Sequence, residues 1–362
     1  MSVLVAKTTV SLSDPKACMA ALLEHFAEHD AEVVRGESRG EAVFEGRKAA
    51  FEAQAGALGM RAEAEDETAL AFLKTFLAAH LLEAAAGETP EIVWTGDGAG
   101  AGRLPNFREL TVLGIRDVTP RMRRITFAGE DLESYAAGGL HIKILIPPPG
   151  IGTPEWPTVA ASGLPVWPEE ERRPAVRTYT VRRVDPRAGE MDIDFVIHGD
   201  GGPGTTFALR AARGDRLGII GPGGGEVPEA DWYLLAGDET ALPAIARILE
   251  TLPREARGTA LIEVADAGED QALAHPPGMA VRWLHRDGAP AGTTDLVVEA
   301  VRQVAWPEDG ARVFAWAGAE YAAFRALRRH WREEIGLDRS QHLAVGYWRR
   351  GTPQGDGKGA RG

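Results

Sequence analysis

Cysteine is almost missing from this chain of 362 residues: Cys18 stands alone. One thiol forms no internal disulfide and cannot supply a four-cysteine iron–sulfur cluster. Long apolar runs are missing as well. None approaches the ~20 residues that cross a bilayer, so no membrane insertion is expected. Met1 to Asp14 has neither a basic start nor a cleavable apolar core, so no signal peptide is expected and the cytoplasm is the expected compartment. A basic surplus is lacking too. With 40 Lys and Arg against 53 Asp and Glu, the formal charge is −13, the wrong sign for a general nucleic-acid binder. Residues 1–105 hold 9 basic and 17 acidic side chains, whereas Tyr321–Arg350 holds seven Arg against Glu333, Glu334 and Asp338. That reversal reads first as a solvated helix face, and second as a local positive field for an anionic ligand.

What is present is enough chain for two or three domains. Thr95-Gly96-Asp97-Gly98-Ala99-Gly100-Ala101-Gly102 reads as a flexible linker, assigned to residues 96–105. Residues 1–95 read as a small α+β domain. It has a strand at 3–10, a helix opened by Ser13-Asp14-Pro15, strands near 31–35, 41–45, 47–54 and 58–65, and a second helix from about Asp66 to Ala86. Glu91–Trp94 adds a last strand. In residues 106–228, short alternating strands at Arg108–Val118, Arg121–Phe127, His141–Ile146 and Val176–Arg182, broken by Gly and Pro, predict a small antiparallel barrel. Pro147 to Pro174 reads as a long Pro-rich loop. In residues 229–351 strands alternate with helices: Trp232–Ala236, Ala241–Leu252, Thr259–Val264, Val281–Leu284, Thr294–Val304, Arg312–Ala317, Tyr321–Ile335 and His342–Trp348. That rhythm predicts a parallel sheet covered by helices on both faces. Residues 352–362 read as a flexible tail.

The most informative stretch starts with Arg177-Thr178-Tyr179-Thr180 on an extended segment, where period-two alternation projects Arg177 and Tyr179 the same way. A cation beside a flat ring suits a ligand with both phosphates and an aromatic system. After the strand Asp192–His198 comes Gly199-Asp200-Gly201-Gly202-Pro203-Gly204-Thr205-Thr206-Phe207. Pro203 is placed to open a helix, whose first backbone N–H groups, at Gly204, Thr205 and Thr206, then face an anion. Together these features look like a flavin dinucleotide site. A second nucleotide site is read at Gly237-Asp238-Glu239-Thr240, the turn after the strand Trp232–Ala236, although it lacks the G-x-G-x-x-G spacing. Gly318 repeats the logic at a later strand end, where it lets the backbone approach the nicotinamide or its ribose.

The order of these blocks is barrel, R-x-Y-T, glycine loop, G-D-x-L-G-I-x-G-P-G from Gly214, A-G-D-E-T-A-L-P from Ala236 and a terminal G-Y-W-R-R-G from Gly346. It resembles the siderophore-interacting protein family, FAD-dependent ferric-siderophore reductases related to ferredoxin–NADP reductases. The match spans about Asn106 to Gly351. The leading module resembles a small uncharacterised domain found fused to or beside such reductases. The resemblance implies a multidomain fold: an α+β N-terminal domain, an antiparallel six-stranded β-barrel for FAD, and an α/β parallel-sheet domain for NAD(P). It implies that Arg177 binds the FAD pyrophosphate, Tyr179 packs on the isoalloxazine and Thr180 hydrogen-bonds the flavin, so that Tyr179 and Thr180 stand at the catalytic position. It places His198 and the loop Gly199, Asp200, Gly202, Gly204, Thr205 and Thr206 around the adenine side and phosphates. Gly237, Asp238, Glu239, Thr240 and Gly318 lie where NADH or NADPH enters. Where the family often has Ala and Trp, this chain has Gly204 and Phe207.

The implied reaction carries electrons from NADH or NADPH to a ferric siderophore, a small-molecule substrate, and needs no protein metal site. For the anionic chelate, Lys143, Arg349 and Arg350 are nominated; Trp348 covers the flavin or simply packs. Bland readings stand beside these: Lys143 as a snorkelling strand residue, Arg349 and Arg350 as a basic end, His198 as a satisfied buried histidine. His25, His29 and His80 lack the carboxylate or cysteine that completes a metal site, so surface or capping roles are preferred. Cys18 reads as a small buried helix residue. Glu263 and Asp266 favour NADH over a 2′-phosphate, whereas Arg282 or Arg286 would rescue NADPH. A monomer or weak dimer is expected. Two rivals remain: a reductase of free flavin, quinone or another ferric chelate, and a non-enzymatic flavin module that senses redox state.

Overall fold

The computed structural model describes residues 3–28, 31–44, 46–137, 139–199, 202–224, 227–308 and 310–352. Two units emerge: Met1–Phe107 with Glu155–Arg173, and Arg108–Pro154 with Pro174–Gly362. Among the described residues, no helix is long and apolar enough to cross a membrane.

In the first unit six antiparallel strands form one sheet, in the order Glu32–Arg35, Arg39–Phe44, Arg47–Gln54, Ala57–Ala64, Leu4–Ser11 and Thr95–Gly96. Alternation buries Ala42, Ala49, Phe51, Leu58, Met60 and Ala62 against the helices Pro15–Glu28 and Glu67–Ala84, which supply Leu22, Phe26, Leu70, Leu73, Leu77 and Leu81. Each helix starts where an aspartate caps it: Asp14 accepts from the Ala17 amide and Asp66 from Ala69, at 2.9 and 2.8 Å. His25 and His80 pack at a tilt, ring centroids 4.6 Å apart, inside a cluster containing Phe26 and Phe76. His29 lies outside the described residues. The buried thiol of Cys18 is pushed up to about 11, chiefly by burial.

Three segments of this unit differ from their sequence reading. The glycine-rich stretch is anchored: Thr95–Gly96 pairs with Ala6 and Lys7, Asp97 accepts from the Val5 amide at 2.7 Å, and the buried Lys74 ammonium donates to the Gly98 carbonyl. Composition alone suggested flexibility, but the anchors come from residues distant in sequence. Glu91–Trp94 is irregular, and the last strand falls one residue later. The Pro-rich loop also divides. Glu155–Arg173 packs with the first unit, where Thr158–Val159 joins Gly102–Arg103 and Pro165–Val166 in a small sheet, and the Trp94 indole donates to the Ser162 carbonyl at 2.9 Å.

The second unit holds a closed barrel of six strands, in the order His141–Ile146, Ala175–Asp185, Glu190–Val196, Met122–Ala128, Phe107–Thr119 and Arg216–Gly223. Its interior is filled by Leu110, Ile125, Phe127, Ile144, Val181, Ile193 and Phe195. A five-stranded parallel sheet follows, in the order Gly278–His285, Arg257–Val264, Trp232–Gly237, Val313–Glu320 and His342–Trp348. Tyr233 and Leu235 face the helix Leu242–Thr251, while Leu234 and Ala236 face Leu296–Arg302 and Tyr321–Arg329, so helices cover both faces. The sheet and barrel are tied directly. Arg247 donates to the carbonyls of Val181, Tyr135 and Ala136, and Arg182 grips Glu250 through both η nitrogens at 2.9 and 2.6 Å.

Candidate functional site

The R-T-Y-T segment lies in the barrel strand Ala175–Asp185, and regular pairing with His141–Ile146 fixes which way each side chain points. Arg177 and Tyr179 share one side; Thr178 and Thr180 share the other. The Tyr179 ring packs against Phe195, centroids 4.7 Å apart, and Phe207 lies 6.0 Å from Phe195. The Tyr179 hydroxyl lies directly over Gly204: a Cβ there would stand 2.1 Å from that oxygen. Glycine at 204 is therefore a steric requirement of this tyrosine orientation, and Phe207 is buried in the same aromatic group. Both departures from the family pattern belong to one packing solution. Burial raises the Tyr179 phenol above its ordinary value, so it stays protonated at neutral pH.

Gly204 opens onto the helix Pro203–Arg210. Its N-cap, Gly202, offers no side chain, and Pro203 at the first position has no N–H to satisfy. The Thr206 amide closes the first turn on the Gly202 carbonyl at 2.9 Å, and the Thr205 hydroxyl donates to the Val196 carbonyl at 3.2 Å, tying the helix start to the barrel. The amides of Gly204 and Thr205 precede the first helical acceptor. A Cβ on Gly199 would meet nothing within 4 Å, which leaves room before the helix. An uncapped helix start beside a glycine loop, with Arg177 on the neighbouring strand face, fits the phosphates of a dinucleotide. His198 is exposed, its ring 4.0 Å from where a Gly202 Cβ would stand, which removes the buried-histidine reading. Asp200 lies outside the described residues.

Thr180 turns the opposite way. Its buried side chain hydrogen-bonds the Tyr347 hydroxyl, which also meets Nε2 of His141. His141 pairs across the strands with Thr180, and Lys143 with Thr178, so Lys143, His141, Thr178 and Thr180 occupy one face of the barrel. Lys143 and Thr178 are exposed. Burial, reinforced by Arg247, lowers His141 to about 4, so it is neutral at pH 7. Neither His141 nor Tyr347 was singled out from sequence. Tyr347 belongs to the quoted terminal block, but the importance of His141 depends on strand register. Arg349 places its guanidinium 5.2 Å from the Tyr321 ring centroid, and the Arg350 amide donates to Glu320 at 3.1 Å. Both arginines are exposed at the Glu320–Tyr321 corner.

The parallel sheet changes direction of strand order between Trp232–Gly237 and Val313–Glu320, and ligands of such sheets enter beyond the carboxyl ends at that crevice. Gly237 and Gly318 pair across it. A Cβ on Gly237 would lie 2.4 Å from the Gly318 carbonyl oxygen, and one on Gly318 would lie 2.9 Å from the Tyr347 ring. Gly318 thus admits Tyr347 as well as leaving the backbone open. Asp238, buried in the turn, accepts from the Thr240 amide and hydroxyl at 2.9 and 2.5 Å, from the Glu320 amide at 3.1 Å, and from the Trp348 indole at 2.8 Å. Burial, with the neighbouring Glu239 charge, raises Asp238 to about 6. Glu239 itself holds Arg286 in a two-pronged ion pair, both contacts 2.7 Å. The structure therefore gathers Gly237, Asp238, Glu239, Thr240 and Gly318 at one edge, and Tyr347 carries that edge to Thr180.

Residues 111–226 match the family described as the siderophore-interacting FAD-binding domain, and residues 230–351 match the siderophore-interacting protein family. Residues 7–95 match a family described as an uncharacterised protein conserved in bacteria. The ferric vibriobactin reductase ViuB of Vibrio cholerae is 37% identical over 238 residues, 65% of this chain and 86% of that protein. The NADPH-dependent ferric-chelate reductase of Escherichia coli is 35% identical over 250 residues, 67% of this chain and 92% of that protein. Among solved structures, a siderophore utilization protein from T. fusca is 42% identical with a TM-score of 0.58, covering 68% of this chain and 94% of that one. The siderophore-interacting protein SipS from Aeromonas hydrophila is 38% identical with a TM-score of 0.59, covering 68% and 93%. Barrel, glycine-loop helix and parallel sheet agree with these matches: the chain belongs to the siderophore-interacting protein family, as an FAD-binding homologue of ferric-siderophore reductases with an additional small N-terminal domain.

Proposed function

We propose that this protein is a reductase that uses FAD to pass electrons from NADH or NADPH to iron(III) held by a siderophore. The observation that carries the reading is the junction at Tyr347, where the edge that would take the nicotinamide nucleotide meets Thr180 beside the cradle of Arg177, Tyr179 and Gly204. FAD, when bound, accepts two electrons as a hydride and gives them up singly, which is the conversion an iron(III) acceptor requires. Each NAD(P)H thus serves two iron(III) ions and releases one proton.

The chain's own residues bind and orient. Arg177 and the free amides of Gly204 and Thr205 hold the pyrophosphate, while the Thr206 amide closes the helix turn beneath them, with His198, Gly199 and Gly202 along the adenine side. Tyr179 presents a neutral phenol and ring, and Thr180 offers a hydroxyl oriented by Tyr347. Gly237 to Thr240 and Gly318 receive the nicotinamide nucleotide. Exposed Lys143, on the barrel face it shares with Thr180, draws the anionic chelate, with Arg349 and Arg350 adding positive field from the end of the last strand. Siderophore oxygens are hard donors that suit iron(III) better than iron(II), so reduction loosens the metal without a protein ligand. The reading places the reaction in the cytoplasm, on a monomer or weak dimer.

The test is direct. The purified protein should carry flavin absorbance, bleach anaerobically with NADH or NADPH, and regain colour on adding a ferric siderophore while a chromogenic chelator traps iron(II). Absence of flavin would overturn the proposal. Faster turnover with free FMN, a quinone or ferric citrate would replace the acceptor.

A further inference from the structure

The carboxyl edge of the parallel sheet carries a group of ion pairs centred on the η nitrogens of Arg286. Arg286 is buried, its side chain 2% exposed, with two 2.7 Å contacts to Glu239 and one of 3.3 Å to Glu263. Glu263, also buried, accepts in addition from the Thr294 hydroxyl at 3.1 Å. Beside them His285 pairs with Asp270 at 2.8 Å, and exposed Asp266 caps the Gly268 amide at 2.9 Å. Within residues 237–241, 263–270 and 285–290, His285 and Arg286 are the basic side chains, against seven acidic ones.

A dinucleotide at the switch point sets its adenosine ribose near the residue that ends the second strand, where a carboxylate accepts from a 2′-hydroxyl and a cation is needed for a 2′-phosphate. Here the second strand runs out through Glu263-Val264-Ala265-Asp266. Of the two arginines that sequence offered to a 2′-phosphate, Arg286 is committed to two carboxylates. Withdrawing it would leave a buried Glu263 unpaired, a costly outcome. Arg282 lies at the other end: it lines a cleft of about 450 Å³ with Trp232, Arg257 and Gly278, which start their strands.

From this geometry we infer that the nucleotide site rejects the 2′-phosphate and takes NADH in preference to NADPH, with the Glu239–Arg286–Glu263 triad as the discriminating element. The inference rests on the nicotinamide-nucleotide reading of this edge. Titration calorimetry on the full-length, flavin-loaded protein tests it without turnover, using ADP-ribose and its 2′-phosphorylated counterpart as probes. ADP-ribose should bind tighter by roughly tenfold or more, a like-charge penalty at an edge whose His285 and Arg286 are both committed to carboxylates. The kcat/KM ratio of NADH to NADPH should lean the same way. Glu239→Gln, which releases one side of Arg286, should narrow both ratios several-fold. Equal or tighter binding of the 2′-phosphorylated probe overturns the inference and leaves the nucleotide site standing; binding of neither probe overturns the site itself.

Discussion

The indole of Trp348 donates a 2.8 Å hydrogen bond to Asp238, so the last strand of the parallel sheet closes on the turn that ends its first strand. The Asp238 carboxylate faces donors on all sides, yet its burial raises it from 3.8 to about 6. Between about pH 4 and pH 6 the folded protein therefore holds a proton that the unfolded chain has released, and this residue's contribution to stability falls as pH rises through that window. Asp238→Asn carries no such titration. The unfolding free energy of the variant relative to wild type should move in its favour by on the order of 2 kcal/mol between pH 4 and pH 7. Denaturant titrations at three pH values measure this; a constant difference would refute it.

His141 titrates with the opposite sign. Its folded value, about 4, lies below the ordinary 6.5, so the unfolded chain takes up a proton first as pH falls. Stability from this residue is complete above pH 6.5 and is lost progressively toward pH 4. His141→Gln should flatten the acid side of the stability profile by about 2–3 kcal/mol over that range. Tyr347→Phe, which deletes the hydroxyl between His141 and Thr180, should cost about 1–2 kcal/mol at pH 7. Melting temperatures across pH for both variants, against wild type, give the answer. Parallel profiles for His141→Gln and wild type would show that His141 is not the titrating group.

Arg247 presents a guanidinium to three carbonyls, Val181 on a barrel strand at 3.1 Å and Tyr135 and Ala136 in the short helix Glu133–Ala137 at 2.9 and 3.2 Å. Arg247→Ala leaves these acceptors without their donor and should destabilise the second unit by about 2–4 kcal/mol. Arg247→Lys should recover only part of that, because an ammonium cannot reproduce the planar fork. Scanning calorimetry distinguishes the three proteins. An alanine variant that melts with wild type would mean that the Arg247 bonds add nothing to a junction already held by Arg182–Glu250 and apolar packing.

Much of the architecture is legible because it depends on local pattern. Period-two alternation marks the barrel strands, the β–α rhythm marks the parallel sheet, and Pro203 after glycine marks a helix start. The same alternation also separates Tyr179 from Thr180, whose side chains leave the strand in opposite directions. The features that stay hidden all depend on pairings between distant segments. His141 gains meaning only when register sets it opposite Thr180. Arg286 looks like a spare cation until Glu239 and Glu263, 47 and 23 residues away, close on it. The glycine-rich stretch looks flexible until Val5 and Lys74 hold it. Gly204 belongs to the same class: its neighbours in sequence do not explain it, but Tyr179 does.

That last relationship yields a double-mutant test. A Cβ at position 204 would stand 2.1 Å from the Tyr179 hydroxyl oxygen and 3.1 Å from its Cζ. Gly204→Ala must therefore push the ring off Phe195 or shift the helix start, and overpacking of this kind costs about 1–3 kcal/mol. It should also weaken retention of flavin, because the displaced helix start is the phosphate cradle. Tyr179→Phe removes the clashing oxygen and keeps the ring. In the double variant the alanine should cost much less than it does alone, a coupling of about 1 kcal/mol or more. The ring carbon at 3.1 Å still asks for a small adjustment, so recovery should be incomplete. Unfolding free energies and flavin content of the four proteins close the cycle. Strict additivity would mean that the hydroxyl is not what holds position 204 to glycine.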